Sequence, residues 1–106
     1  MPEYKLYPAG GGMATVSLQS TAVCLATTSI PCVMVTLKGV STNSNVIMVG
    51  NSTVKLATTA RVGIPVYSMS TSRMTNIECL DVTQVFIDGV STEAVYYTYY
   101  RLGSAS

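Results

Sequence analysis

The stretch Cys32-Val33-Met34-Val35-Thr36-Leu37-Lys38 decides how this chain is read. Val33, Val35 and Leu37 share one face, and Cys32, Met34, Thr36 and Lys38 the other, the period of two that a half-buried β-strand requires. The same period extends outward in both directions. Upstream, residues 13–19 set Ala14, Val16 and Leu18 against Thr15, Ser17 and Gln19, and residues 21–26 offer a second short run before a Thr27-Thr28-Ser29 turn. Downstream, residues 41–45 are a Ser/Thr/Asn cluster of the kind that bonds its own backbone in turns. A strand over 46–49 follows, closed by Gly50-Asn51. Residues 52–63 are expected to be a loop with a short strand at 54–56. Strands over 64–67 and 73–77 are expected to flank the Ser/Thr stretch at 68–72, and Pro65 places the first at a sheet edge. Residues 84–88 carry Val85 and Ile87 on one face, Asp88-Gly89 opens a turn, and residues 94–102 form the last strand. No window sustains a helical period. Seven to nine short strands at intervals of roughly 8–14 residues predict an all-β fold, an antiparallel β-sandwich or jelly roll over residues 13–106.

Residues 1–12 read as a separate piece. Tyr4, Leu6 and Tyr7 precede Pro8-Ala9-Gly10-Gly11-Gly12, a run expected to break any regular element. The expectation is an extended N-terminal arm whose Tyr4, Leu6 and Tyr7 lie across a neighbouring subunit, since so few apolar groups cannot build a core of their own. The last strand, Ala94-Val95-Tyr96-Tyr97-Thr98-Tyr99-Tyr100-Arg101, is aromatic on both sides: Tyr96 and Tyr100 share one face, Tyr97 and Tyr99 the other. One pair is expected to close the core and the other to meet a partner, because tyrosine suits positions where the ring is covered and the hydroxyl stays wet. The face that points inward is left open by the alternation. Tyr97, Tyr99 and Arg101 are taken as the partner-contacting set.

Composition narrows the function. Of 106 residues, 12 are Ser, 14 Thr and 14 Val, while six Lys and Arg oppose five Asp and Glu for a net charge of +1. Charged residues are 10% of the chain, against about 25% in an ordinary soluble domain. So few charges, with a mean hydropathy of +0.40, suit a subunit covered by other protein, where low charge also lowers the desolvation cost of each contact. The absence of histidine removes imidazole catalysis and the usual zinc sites. The near-neutral balance argues against phosphate-backbone binding. No export leader or membrane span is expected: the longest apolar stretch, residues 30–37, contains Pro31 and Thr36 and is far short of the roughly 20 residues a span needs. Cys24, Cys32 and Cys79 lack metal or framework spacing. Cys24 and Cys32 are close enough in sequence to meet across a hairpin, but all three are expected to be free thiols.

Sequence motifs point to no catalytic residue, cofactor or metal. Ser52-Thr53-Val54-Lys55 has the Ser-x-x-Lys spacing of penicillin-binding enzymes, without the helix or the companion motifs that chemistry requires. Gly10-Gly11-Gly12 lacks the preceding strand and following helix of a phosphate loop. Asp81 and Asp88 are expected to cap turns.

The segments PCVMVTLKGVSTNSNVIMVGNSTV at 31–54 and IECLDVTQVFIDGVSTEAVYYTYY at 77–100 resemble the small β-proteins encoded with the head genes of tailed bacteriophages, the capsid decoration (cement) and head-fibre proteins. The shared features are a Val-rich strand leading through a Thr-Asn turn to a short strand ending Val-Gly-Asn-Ser. A Leu-x-Val-x-x-Val-x-Ile-Asp-Gly strand, a polar turn and a closing aromatic strand then follow. The resemblance implies a structural, non-enzymatic protein that binds the major capsid protein lattice on the outer surface of the virion after assembly in the host bacterial cytoplasm. It implies a homo-oligomer, a trimer ahead of a dimer, with no nucleic-acid or membrane partner. Two alternatives share the fold logic: a host-glycan-binding tail-fibre or receptor-binding module, and a tail or neck structural subunit.

Overall fold

From Met34 on, the alternation expected over residues 32–38 becomes an inner strand of one sheet, β3 (Met34–Gly39), with Val35 and Leu37 wholly buried. Ahead of it the chain bends at Val33 and the expected faces are exchanged, Cys32 lying buried in the core and Val33 only partly covered. The computed structural model describes residues 3–18, 21–40, 43, 45–56, 63–67 and 74–105. Within them, the other strands are β1 (Glu3–Thr15), β2 (Val23–Cys24), β4 (Ile47–Gly50), β5 (Ile64–Val66), β6 (Thr75–Glu78), β7 (Phe86–Asp88) and β8 (Ala94–Ala105). A 3-10 turn at Val82–Gln84 precedes β7. The protein is all-β, with two four-stranded antiparallel sheets ordered β1-β8-β3-β6 and β2-β7-β4-β5.

That order is a hairpin rolled on itself. β1 pairs with β8, β2 with β7, β3 with β6 and β4 with β5. The pairs are folded over so that β8 also meets β3 and β7 also meets β4. Of the two architectures expected, this is the jelly roll. The core lies between the sheets. Val35, Leu37 and Val95 from one inner face meet Ile47, Val49 and Ile87 from the other, with Val16, Val66, Val82 and Val85 closing the ends. Each such side chain contributes roughly 1.5–3 kcal/mol by leaving water.

A smaller cluster sits on the outside of the second sheet, where Val54 and Leu56 cover Met48, with Phe86 and Val90 packed beside them. Residues 54–56, expected as a short strand, instead serve as this cover. The cover changes the role of Asp88. Rather than capping a turn, it ends β7 fully buried beneath the cover, and its Oδ2 accepts the Leu56 amide at 2.8 Å. Asp81 does cap: its Oδ1 accepts the Thr83 amide at the start of the 3-10 turn, as expected. Ser52 and Lys55 lie in turn and extended backbone, not on a helix. The Ser/Thr stretch at 68–72 lies outside the described residues, as does much of the 41–45 cluster.

The expected break at 8–12 does not occur. β1 runs unbroken through Pro8 and the three glycines, paired with β8 from Glu3↔Ala105 to Thr15↔Ala94, with one bulge between Pro8 and Gly10. Two local features permit this. β1 is an edge strand, where proline removes no ladder bond that must be made. The glycines are covered from β8: the Tyr99 ring lies where a Cβ on Gly10 would be, with Cζ 2.7 Å away, and the Tyr97 hydroxyl is 3.1 Å from the same point on Gly12. A cross-strand aromatic laid over an edge glycine restores the packing the glycine lacks. The triple glycine is therefore part of a strand and not a hinge.

A candidate interaction surface

β3 pairs with β8 only from Gly39↔Val95 to Met34↔Tyr100, whereas β1 follows β8 to Ala105. Glu3–Tyr7 and Arg101–Ala105 therefore continue past the body as a two-stranded ribbon made of both chain ends, and the molecule reaches 50 Å on its long axis. The arm expected from residues 1–12 is thus half of a ribbon whose other half is the chain's own C-terminal strand.

Burial settles the face of β8 that the alternation left open. Val95 is fully buried, and Tyr97 and Tyr99 pack against the core cluster. Burial pushes the Tyr97 phenol up from its ordinary pKa, and the neighbouring Tyr99 adds to the shift. Arg101 lies on this side too. Its guanidinium carbon stands 5.5 Å from the Tyr99 ring centroid, and its Nε donates to the Pro31 carbonyl at 2.8 Å, pinning the root of the ribbon to the body. Tyr97, Tyr99 and Arg101 are brought together, but as an inward-facing support.

The outward face carries Tyr96, Thr98, Tyr100 and Leu102. In register beside them are Met13, Gly11, Pro8 and Leu6 of β1, then Lys38, Thr36 and Met34 of β3, and finally Asn76 and Glu78 of β6. Leu6, Leu102, Tyr96 and Leu80 are 49%, 54%, 45% and 78% exposed. Leu6 sits opposite Leu102, and Tyr7 opposite Arg101 with its ring over Gly103. Tyr4 pairs with Ser104 in the ladder, and its side chain lies outside what is described. Where the ribbon leaves the body, Leu6, Met34, Glu78, Leu80 and Leu102 line an open groove of about 580 Å³. Apart from Lys38 and Glu78, the described residues of this face are uncharged. Sequence reasoning named Leu6 and missed Tyr96, Leu102, Met13, Met34 and Leu80. The available signal was that Tyr96, Tyr100 and Leu102 share parity with one another and not with Val95.

The far edge of this surface is held by Asp81. Its carboxylate accepts from the Ser29 hydroxyl, the Ile30 amide at 3.0 Å, and the Thr83 amide and hydroxyl at 3.0 and 2.8 Å. These donors, Ser29 first, hold the carboxyl well below the usual carboxylate range. A lowered folded value means the stabilisation is complete well above the ordinary carboxylate pKa of about 4 and declines progressively as pH falls from there through the folded value. Protection of the Ile30 and Thr83 amides from hydrogen exchange, corrected for intrinsic rate, should therefore be the same at pH 7 and about pH 5.5. In Asp81→Ala it should be lost at both. Wild-type protection that fades between those two values would contradict this account.

Among the described residues, no group of three or more His, Cys, Asp or Glu side chains is placed to hold a metal ion. Comparison of the chain with protein-family models, curated proteins and solved structures finds no match to any of them.

Proposed function

We propose that this protein is a decoration subunit of a tailed-bacteriophage capsid, binding the major capsid protein lattice from outside as a homo-oligomer, trimeric ahead of dimeric. The observation that carries the reading is the outer face of the β1-β8-β3-β6 sheet. It is a wide surface of few charges with exposed Leu6, Met13, Tyr96 and Leu102, the Leu6–Leu102 pair carrying it onto a ribbon that also holds Lys5 and Arg101. A monomer rarely exposes a large contiguous apolar area without a use for it. Clamping a shell needs contact area repeated by symmetry and no bond-making chemistry. The rolled-hairpin topology is one that viral capsid proteins share with lectins, so it agrees with the reading without carrying it. The resemblance of segments 31–54 and 77–100 to decoration proteins supplies the partner.

The test is addition of the purified protein to shells of the parent virus that lack it. The shells should rupture at a higher temperature. Tyr96→Glu or Leu102→Asp should cut occupancy at least about 30-fold, the loss typical of a central contact residue, while leaving the fold intact. Unchanged rupture temperature would sink the proposal. Binding of host glycans instead would move the protein to the tail fibre.

A further inference from the structure

Cys32 has a sulfur neighbour 47 residues away in sequence. Its Sγ lies 3.4 Å from the Sγ of Cys79, while Cys24, the expected hairpin neighbour, sits on β2 in the other sheet. Cys32 stands two positions before β3 and Cys79 one position after β6, so the register sets Cys32 opposite Leu80 and Cys79 opposite Val33, and the two cysteines are diagonal neighbours. The backbone holds them there through the Cys32 amide on the Leu80 carbonyl at 3.1 Å and the Cys79 amide on the Val33 carbonyl at 3.3 Å. Just beyond, Pro31 and Asp81 form a further antiparallel bridge. Two thiols in van der Waals contact across paired backbone need only a small side-chain rotation to reach the bond length of about 2.05 Å.

We propose that Cys32 and Cys79 form a regulated disulfide, made by exchange with a low-molecular-weight disulfide such as oxidised glutathione. Cys79 is the more exposed residue of the two and lines the groove together with Leu80, so it attacks first. Its thiol gives its proton to solvent and the thiolate attacks one sulfur of the small disulfide. A mixed disulfide forms as the first small thiolate leaves. Cys32, losing its own proton, then attacks the Cys79 sulfur, and the second small thiolate leaves. The protein gives up two electrons and two protons, and one small disulfide becomes two small thiols.

Burial, followed by the contact with Cys32, pushes the Cys79 thiol up to about 12. Exchange is therefore slow at neutral pH and quickens as pH rises, and in a reducing cytoplasm the pair stays as thiols. The bond would staple the edge strand β6, which otherwise holds to β3 through four ladder pairs, Met34↔Glu78 to Leu37↔Thr75. It forms in the isolated protein, so it stands or falls separately from any shell.

The experiment incubates the native protein with oxidised glutathione at mildly alkaline pH, against a dithiothreitol control. Intact mass should fall by two hydrogens, one thiol (Cys24) should remain open to alkylation after unfolding, and peptide mapping should join Cys32 to Cys79. The melting temperature should rise on the order of 10 °C over the reduced form, as expected for closing a long loop. Cys24→Ser should oxidise as the wild type does, and Cys79→Ser should show neither the mass loss nor the rise. Mapping on the wild type needs no variant to fold. Recovery of three alkylatable thiols, of glutathione adducts alone, or of a bridge to Cys24 would overturn the proposal.

Discussion

Asp88→Ala should destabilise the protein by about 3 kcal/mol, lowering its melting temperature by roughly 10–20 °C. Asp88 is fully buried on β7, opposite Met48 in the ladder, and its Oδ2 receives the Leu56 amide at 2.8 Å. That acceptor helps tie down the segment that covers the outside of the second sheet, where Leu56 and Val54 pack on Met48. Alanine leaves the Leu56 N–H without its acceptor in a place already closed to water, and the cover must lift to rehydrate it. Opening then exposes Met48 and Phe86 as well, so the loss exceeds one hydrogen bond. Asp88→Asn keeps an acceptor for Leu56 but brings amide hydrogens into the same dry site, and should fall between wild type and alanine. Urea unfolding of the three proteins checks the order. A cost below about 1 kcal/mol for alanine would mean the cover is not held by this carboxylate.

The second large effect is expected at Gly11. A Cβ there would sit inside contact distance of the Tyr97 carbonyl oxygen and 3.2 Å from the Thr98 Cα, both backbone atoms of the paired strand. Backbone in a ladder cannot swing aside, so Gly11→Ala must push β1 away from β8 along the longest pairing in the fold. The expected cost is about 2 kcal/mol, in the range for overpacking a filled site. Gly12→Ala provides the contrast. Its Cβ would meet only the tip of the Tyr97 ring, at 3.1 Å from the hydroxyl and 3.3 Å from Cζ, and a side-chain tip gives by a few tenths of an ångström. Removing a glycine also stiffens the unfolded chain, so Gly12→Ala should be close to neutral. Equal melting temperatures for the two variants would defeat the account of β1 as a strand fitted against β8.

Much of the body could be read from residue order. Val35 and Leu37 face the core as their alternation requires, and so does Ile87; all three are wholly buried. The strand at 46–49 lies within one residue of β4, and Pro65 is on the edge strand β5 as its missing N–H predicts. The errors have a common cause. Pro8-Ala9-Gly10-Gly11-Gly12 carries every local sign of a break, and what overrides it is a pair of tyrosine rings arriving from residues 97 and 99. Asp88 beside Gly89 has the local chemistry of a turn, and what buries it is a segment more than thirty residues earlier. In both places the deciding contact is far away in sequence, so no local pattern could announce it.

The candidate surface divides in the same way. The parity of Tyr96, Tyr100 and Leu102 against Tyr97, Tyr99 and Arg101 followed from the pleat alone. The side facing water was set only when Val95 went into the core and Arg101 folded back onto Pro31.

By itself the sequence determined the all-β class, most strand positions, the two-sided aromatic strand and the scarcity of charge, because each is a matter of neighbours two residues apart or of counting. The tertiary structure alone decided the jelly-roll order, the pairing of the two chain ends into a ribbon, the outward face of β8 and the meeting of Cys32 with Cys79. Each of these is a contact between segments separated by tens of residues. Such contacts are chosen by which distant surfaces bury one another with least strain, and that choice leaves no periodic trace in either segment.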